Sequence, residues 1–315
     1  MALDSDFGWT VVLAAARHAE AVAKSTAPAA FRLSSTGTLE PASLNDREAM
    51  LVWRPGVGWE TRLARSDARA DVIDLYLPIC SATSAHPTTV GHLGQSLDGF
   101  IATHAGESRW VTGEENMRHM HRLRALCDAV IVGAGTVAAD DPQLTTRLVD
   151  GPNPLRVVLD PARRLREDHR VFNDLSAETL YVCARSLTRE GEQQFGRAAV
   201  VGVRDGPDAG VDLAELIGLL RARGCARVFV EGGGVTVSMF LQAKLLDRLH
   251  VAIAPLLIGD GRPAIRLRPS DTLEDCARPR YRVFRMGADV LFDCDLSGED
   301  RGREPQAAPS ISRVI

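Results

Sequence analysis

Glu231 is followed at once by Gly232, Gly233 and Gly234, in the string VFVEGGGVTVS. Bare backbone leading into a helix suits a phosphate, because the first-turn amides are unpaired and the helix dipole favours negative charge there. A carboxylate beside such a site repels the same ligand. The two share a site only if they hold different parts of its contents. Two further strings put small and polar residues after apolar runs. VIVGAGTVAADDPQLTTR presents Gly133, Gly135, Thr136, Asp140, Asp141 and Arg147, and VVLDP ends in Asp160. In α/β sheets ligands gather at such strand ends, although each string taken alone also fits a plain tight turn. No full GxGxxG fingerprint and no GxxxxGK[ST] phosphate loop occurs. VGHLGQSLDGFIAT adds Asp98 in an LDG turn. Residues 106–130 add Arg122 and Arg124 on a helix that Thr112 and Glu115 open as a capping box.

Metal chemistry finds no support. His18–Glu20 reads HAE, half of a zinc deaminase signature, but the PCxxC that must accompany it is missing. His18 is expected on a helix surface. Cys80, Cys127, Cys183, Cys225, Cys276 and Cys294 are too far apart for a CxxC pair, and read as buried reduced thiols.

The elements that position these residues follow from hydrophobic pattern. CDAVIVGAG, NPLRVVLDP, ETLYVCA, RAAVVGV and CARVFVEGGG are apolar, β-branched runs. Amphipathic segments such as TGEENMRHMHRLRAL and VDLAELIGLLRARG lie between several of them. This alternation predicts an α/β fold with a mostly parallel sheet covered by helices on both faces. RLHVAIAPLLIG, RYRVFRMGA and DVLFDCDLS follow one another without a helix, which predicts antiparallel closing strands. Ahead of this unit, residues 9–24 read as a helix, and AMLVWRP and VIDLYLPIC as strands. The small, polar stretch 81–89 reads as a linker. The expected organisation is a small N-terminal α+β extension over 1–87, a main domain over 88–296 and a disordered tail over 297–315. Trp53 and Trp59 are expected to be buried against the main domain.

The 315 residues carry a formal net charge of -4, with 45% hydrophobic and 25% charged residues. That balance fits a globular protein with a sizeable core and argues against nucleic acid as a partner. No apolar stretch approaches a membrane span, and the acidic start MALDSDFGWT lacks a signal-peptide pattern. A cytoplasmic location is expected.

Taken in order, GQSLDGFIA, SRWVTG, RLRALCDAVIVGAGTVAADDPQLTTR, NPLRVVLDP and VFVEGGG…LLDRLHVAIAPLLIGDG resemble the RibD C-terminal reductase family of riboflavin biosynthesis. The resemblance covers roughly residues 88–295. It implies a dihydrofolate-reductase-like fold, a homodimer, and NADPH-dependent reduction of the ribosyl group of a 5-amino-6-(5-phosphoribosylamino)uracil to ribityl. Carried over by position, it implies that Gly94, Trp110, Thr136, Asp140, Gly232, Gly233, Gly234 and Thr236 line the dinucleotide. The strand ends at Gly133 and Asp160 join that set. Ser108, Thr112, Arg124, Leu144, Arg147 and Glu231 would face the substrate, and Asp98 would sit at the nicotinamide end as the group polarising or protonating the reacting centre. The family usually carries lysine six residues before that aspartate, where this chain has His92. His92 is therefore either an altered catalytic group or a strand residue beside the site. Arg163, Arg164 and Ser186 are candidate contacts for a 2′-phosphate. Two other readings stand beside this one: a reductase of a different pyrimidine, pteridine-like or carbonyl compound, and a non-catalytic NADPH-binding module.

Overall fold

The computed structural model describes residues 2–207 and 210–298, so the predicted tail, apart from Ser297 and Gly298, lies outside the described residues. The chain opens with helix α1 (Ala2–Val22), then a meander of β1 (Ala29–Leu33), β2 (Leu39–Ala42), β3 (Leu51–Arg54) and β4 (Gly58–Thr61), then α2 (Ala70–Cys80). β5 (Thr88–Ser96) and β6 (Phe100–Thr103) lead to α3 (Glu114–Leu126), β7 (Ala129–Gly133) and α4 (Ala134–Asp140). Next come β8 (Leu155–Leu159), α5 (Arg170–Asn173), β9 (Thr179–Ala184), β10 (Gln194–Phe195), β11 (Ala198–Val203) and α6 (Leu213–Ala222). β12 (Arg227–Glu231), α7 (Gly234–Gln242), β13 (Arg248–Ala254), β14 (Gly261–Pro263), β15 (Arg280–Met286) and β16 (Asp289–Asp295) complete the order.

The main sheet has ten strands in the order β10-β11-β9-β8-β7-β12-β5-β13-β16-β15. The run from β11 to β13 is parallel, and β10, β16 and β15 are antiparallel. The central strands are mostly apolar because both faces are covered. Val130, Val132 and Phe229 point to the layer holding α1, α2 and α3, whereas Ile131, Val228 and Val230 point to the layer holding α6 and α7. The closing strands depart from expectation in one respect. β13 pairs parallel with β5 and antiparallel only with β16, because α7 carries the chain across the sheet in a βαβ crossover.

The N-terminal segment forms its own four-stranded sheet, ordered β2-β1-β3-β4, yet shares the main hydrophobic core. Trp9, Val12, Ile73 and Tyr76 belong to one cluster with Leu123, Val130, Phe229 and Leu291. Trp9 Nε1 donates to the Asp150 carbonyl at 2.9 Å, and Arg227 at the foot of β12 donates to the Ala16 carbonyl at 2.7 Å. VIDLYLPIC is helix α2, not a strand. An apolar run of that length satisfies either period, and packing along α1 selects the helix. Trp53 and Trp59 are buried, but their ring neighbours are each other, Phe31 and His18, so they seal the extension itself. His18 accordingly packs on Phe31 rather than standing on an open helix surface.

Candidate active site

β7 and β12 are neighbouring parallel strands whose onward helices leave to opposite faces. α4 after β7 joins the α3 layer through Ala134 and Val137, and α7 after β12 joins the other layer through Val237 and Phe240. The space beyond two such diverging strand ends is the usual ligand position of an open α/β sheet. Both glycine turns meet there. The Gly233 N–H donates to Thr136 Oγ1 at 3.1 Å, tying the two turns together. Gly232 has φ +148, a conformation that strains any side chain. A Cβ on Gly133 would lie 2.2 Å from the Thr236 hydroxyl, and one on Gly234 would lie 1.8 Å from the Ala264 carbonyl oxygen. These two glycines permit close packing, while Gly232 and Gly233 shape the turn. α7 then starts with no side-chain cap; the Thr236 N–H turns back to the Gly233 carbonyl at 3.1 Å, and the Gly234 and Val235 amides at the helix start have no intrahelical carbonyl to bond.

Glu231 faces the other way. Strand alternation sends its side chain toward α3, where it is 5% exposed. Arg124 grips it with both prongs, Nε to Oε2 at 2.7 Å and an NH2 donor to Oε1 at 2.5 Å. The third nitrogen of Arg124 donates to the Thr145 carbonyl at 3.0 Å. Arg124 and Glu231, both expected to face the substrate, are a buried, bidentate ion pair that occupies each other's polar groups. Arg147 is the exposed cation beside it, held by the Thr145 hydroxyl at 2.6 Å. Partial burial, then the nearby Arg124 and Arg170, press its pKa below the ordinary arginine value. His121 accepts from the Arg147 N–H at 2.9 Å. Burial, reinforced by Arg124 and Arg147, pushes its pKa down to about 4 and keeps the ring neutral.

Other expected site residues divide by exposure. Ser108, Trp110 and Thr112 lie on the loop before α3, with Ser108 and Trp110 exposed, and Trp110 takes a left-handed φ of 68. Thr112 does not cap α3. The N-cap is Gly113, whose N–H donates to Asp289, and the Thr112 hydroxyl instead accepts from Asn116 at 2.8 Å. Gly94 is where α3 rests on the sheet, since a Cβ there would lie 2.9 Å from both Thr112 and Asn116. Asp140 is exposed, its pKa raised by partial desolvation against the pull of Arg262. Leu144 is fully buried in the core and cannot present its side chain to a ligand. Asp160 is also core, accepting from the Leu165 N–H at 2.8 Å and the Tyr181 hydroxyl at 2.9 Å. Arg163 is occupied by Glu192, and Ser186 by Asp205; Arg164 is exposed.

Asp98 and His92 are corrected as proton-transfer groups. The Asp98 carboxylate accepts from Ser96 Oγ at 2.5 Å, Gly259 N–H at 2.7 Å and Ile258 N–H at 3.1 Å. These bonds, led by that of Ser96, lower its pKa, so Asp98 is a poor acid near neutrality and instead fastens the 97–99 turn to the 256–259 loop. His92 is buried within the sheet face, edge-on to His119 at 5.1 Å. Burial, then neighbouring His250, pushes its pKa down to about 3, so it has no proton to give at neutral pH.

Residues 87–283 match the family described as the RibD C-terminal domain. The chain belongs to that family. It is 35% identical over 221 residues to the 2,5-diamino-6-ribosylamino-4(3H)-pyrimidinone 5′-phosphate reductase of Methanothermobacter thermautotrophicus, covering 67% of this chain and 99% of that protein. It is 30% identical over 257 residues to riboflavin biosynthesis protein RibD of Aquifex aeolicus, covering 81% of this chain and 70% of that one. Among solved structures, Acinetobacter baumannii RibD superposes with a TM-score of 0.57 at 25% identity, covering 72% of this chain and 62% of that chain. The riboflavin biosynthesis reductase Rib7 of Saccharomyces gives 0.53 at 21% identity, covering 66% and 89%, and supports the fold alone.

A further set of buried polar residues, of which only Arg122 is a candidate from the sequence, surrounds α3. Asn116, His119 and Arg122 on α3, His250 on β13, Asp289 and Asp293 on β16, and Tyr76 on α2 are all buried. One signal was available: Asn116, His119, Leu123 and Leu126 recur at helical spacing, so the inward stripe of α3 begins with two polar residues. Buried polar groups at stripe positions need partners, and the partners come from strands distant in sequence.

Proposed function

We propose that this chain is an NADPH-dependent reductase that converts the ribosyl group of a ribosylamino-pyrimidine 5′-phosphate to ribityl. The observation that carries the reading is the meeting of the two glycine turns beyond β7 and β12, with the Arg124–Glu231 pair on the opposite face of β12. Family membership and the name of the archaeal relative supply the substrate class. That meeting point fits a dinucleotide: the turn at Gly232 and Gly233 leaves the backbone uncovered, and the α7 amides offer donors to a diphosphate. Thr136 and Thr236 flank that turn. Bound NADPH would supply the hydride for the sugar carbon.

The chain's own residues do the positioning. Arg147, Ser108 and Thr112 supply one cation and two hydroxyls for a sugar phosphate. The Arg124–Glu231 pair presents a rigid polar wall of fixed orientation, already compensated in charge. Asp98 fastens its own turn to the 256–259 loop. Homodimerisation and a cytoplasmic location are part of the same reading; light scattering on the purified protein checks the first. His92, neutral and buried where the family usually has lysine, favours one second reading, reduction of a related pyrimidine lacking the phosphate.

The test is turnover of NADPH with 2,5-diamino-6-ribosylamino-4(3H)-pyrimidinone 5′-phosphate and with 5-amino-6-(5-phosphoribosylamino)uracil, the ribityl product being identified by mass. Arg147→Ala is expected to raise the substrate KM by about ten-fold or more while NADPH affinity holds. Turnover only of the dephosphorylated compounds favours the second reading. NADPH binding without oxidation on any of them overturns both, leaving a binding module.

A further inference from the structure

A polar row crosses the α3 side of the sheet. Glu231 on β12 is in register with His92 on β5, His92 with His250 on β13, His250 with Asp293 on β16, and Asp293 with Arg282 on β15. Helix α3 lies over this row and touches it at three members, with Arg124 on Glu231 and His119 on both His92 and His250. Above α3 comes α2 from the N-terminal extension. Its Tyr76 is fully buried, and its hydroxyl lies 2.6 Å from His119 Nδ1. His119 Nε2 lies 3.1 Å from His250 Nδ1, and the two rings stack at 5.1 Å. His250 Nε2 lies 3.2 Å from Asp293 Oδ1.

Proton counting gives this chain a single direction. Asp293 accepts from Arg248 Nε at 2.6 Å and from an Arg282 NH2 donor at 2.6 Å. Against the raising effect of burial, His250 and Arg248 hold it well below the usual carboxylate range, so it is ionised and only accepts. His250 therefore carries its proton on Nε2. Burial keeps His250 and His119 neutral, each with one donor and one acceptor nitrogen. His250 Nδ1 must then accept, His119 Nε2 must donate, and His119 Nδ1 must accept. Tyr76 completes the sequence as a phenol, its pKa pushed by burial up to about 12. The Tyr76–His119 and His119–His250 contacts are each matched donor to acceptor in this sense, and the 3.2 Å approach of His250 Nε2 to the ionised Asp293 is an electrostatic contact that favours the same tautomer.

We propose that Tyr76 is a positioning residue for the reductase site. Through the one-way chain Tyr76 to His119 to His250 to Asp293, the N-terminal extension pins α3 to the sheet and so holds Arg124 against Glu231. Residues 1–87 are then part of the catalytic unit rather than an appendage. This rests on reading the Arg124–Glu231 pair as the substrate side of the site.

Tyr76→Phe in the full chain keeps the ring and removes the hydroxyl, which donates to His119 and also faces Arg122. Two measurements are independent of substrate. Nitrogen-15 spectra of the imidazoles should show His119 and His250 as Nε2–H tautomers, with His119 losing its fixed tautomer in Tyr76→Phe. The Arg124 Nε–H resonance should exchange with solvent about ten-fold faster in the variant, the equivalent of one weakened hydrogen bond. The third is kinetic: the pyrimidine KM rises about ten-fold while kcat and NADPH affinity change less than about two-fold. Trp53→Phe, which loosens the extension away from the chain, leaves that KM unchanged. An Nδ1–H tautomer at either histidine, or an unaltered Arg124 resonance in Tyr76→Phe, overturns the proposal whatever the substrate. Loss of the KM effect in an enzyme that turns over also overturns it and leaves the proposed function intact. Absence of turnover in the wild type strikes the function alone.

Discussion

On the α7 side of β12 the chain offers main chain: two glycine turns, a threonine hydroxyl between them, and the uncapped start of a helix. On the α3 side it offers side chains, a buried arginine and glutamate that occupy each other, above a row of histidines and a carboxylate. The first arrangement works by omission. Its donors are amides that exist in any helix, and its specificity lies in having no Cβ where a ligand or a neighbouring backbone must approach. The second works by mutual satisfaction: each group is tolerated in the interior only because the next one pairs with it. The two sides should therefore fail differently when altered, the glycine side by steric conflict and the paired side by uncompensated charge.

The largest expected effect is on the paired side. Glu231→Leu leaves the Arg124 guanidinium buried without its carboxylate, which should cost about 3–5 kcal/mol of stability. Adding Arg124→Met should return much of that loss, because a matched apolar pair asks nothing of the interior while neither single variant is matched. Urea denaturation of the two single variants and the double variant forms the cycle. Additive losses would mean that the two groups do not depend on each other, and the contrast with the glycine side would go.

On the glycine side, Gly234→Ala drives a methyl group into the Ala264 carbonyl, with backbone on both sides of the conflict. A loss of about 2–3 kcal/mol is expected, together with weaker nucleotide binding as the start of α7 shifts. Gly135 is the internal control. It lies in α4 with nothing within 4 Å of an added methyl group, so Gly135→Ala should be neutral or stabilising by up to about 1 kcal/mol. Equal effects in the two variants would show that the close approach to the Ala264 carbonyl does not govern the glycine turns.

How far the sequence foretells these two sides depends on how local the cause is. The parallel strands are legible because a strand covered on both faces is apolar throughout, as in Val228 to Val230. The glycine turns are legible because a missing side chain at a strand end is itself a local sign. Glu231 stands out beside them, but its partner does not: Arg124 is 107 positions away, and on its helix it resembles any solvated arginine. Asp98 misleads for the same reason, since two of its donors are amides of Ile258 and Gly259, and main-chain partners leave no trace in residue identity. α2 misleads because VIDLYLPIC is apolar enough to satisfy both periods, and only its packing on α1 settles which one is used. The row through His92, His250 and Asp293 exists only once three strands are in register.

The smallest effect separates the two sides by acidity, since the buried histidines lie only on the α3 side. His92 and His121 have pKa values pushed down to about 3 and about 4, and His119 and His250 are lowered as well, burial leading in each case. In the unfolded chain these rings titrate near 6.5. Between that value and the folded ones the unfolded state binds more protons, so stability is full above about pH 6.5 and falls as the pH drops. Each histidine that stays neutral in the native state contributes a slope of about 1.4 kcal/mol per pH unit in that window. Urea midpoints should hold steady from about pH 8 to about pH 7 and then decline, and His92→Leu should make the decline shallower by about one histidine's share. A midpoint that stays level down to about pH 5 would mean that the rings are charged in the folded protein, which the one-way chain through His119 and His250 does not permit.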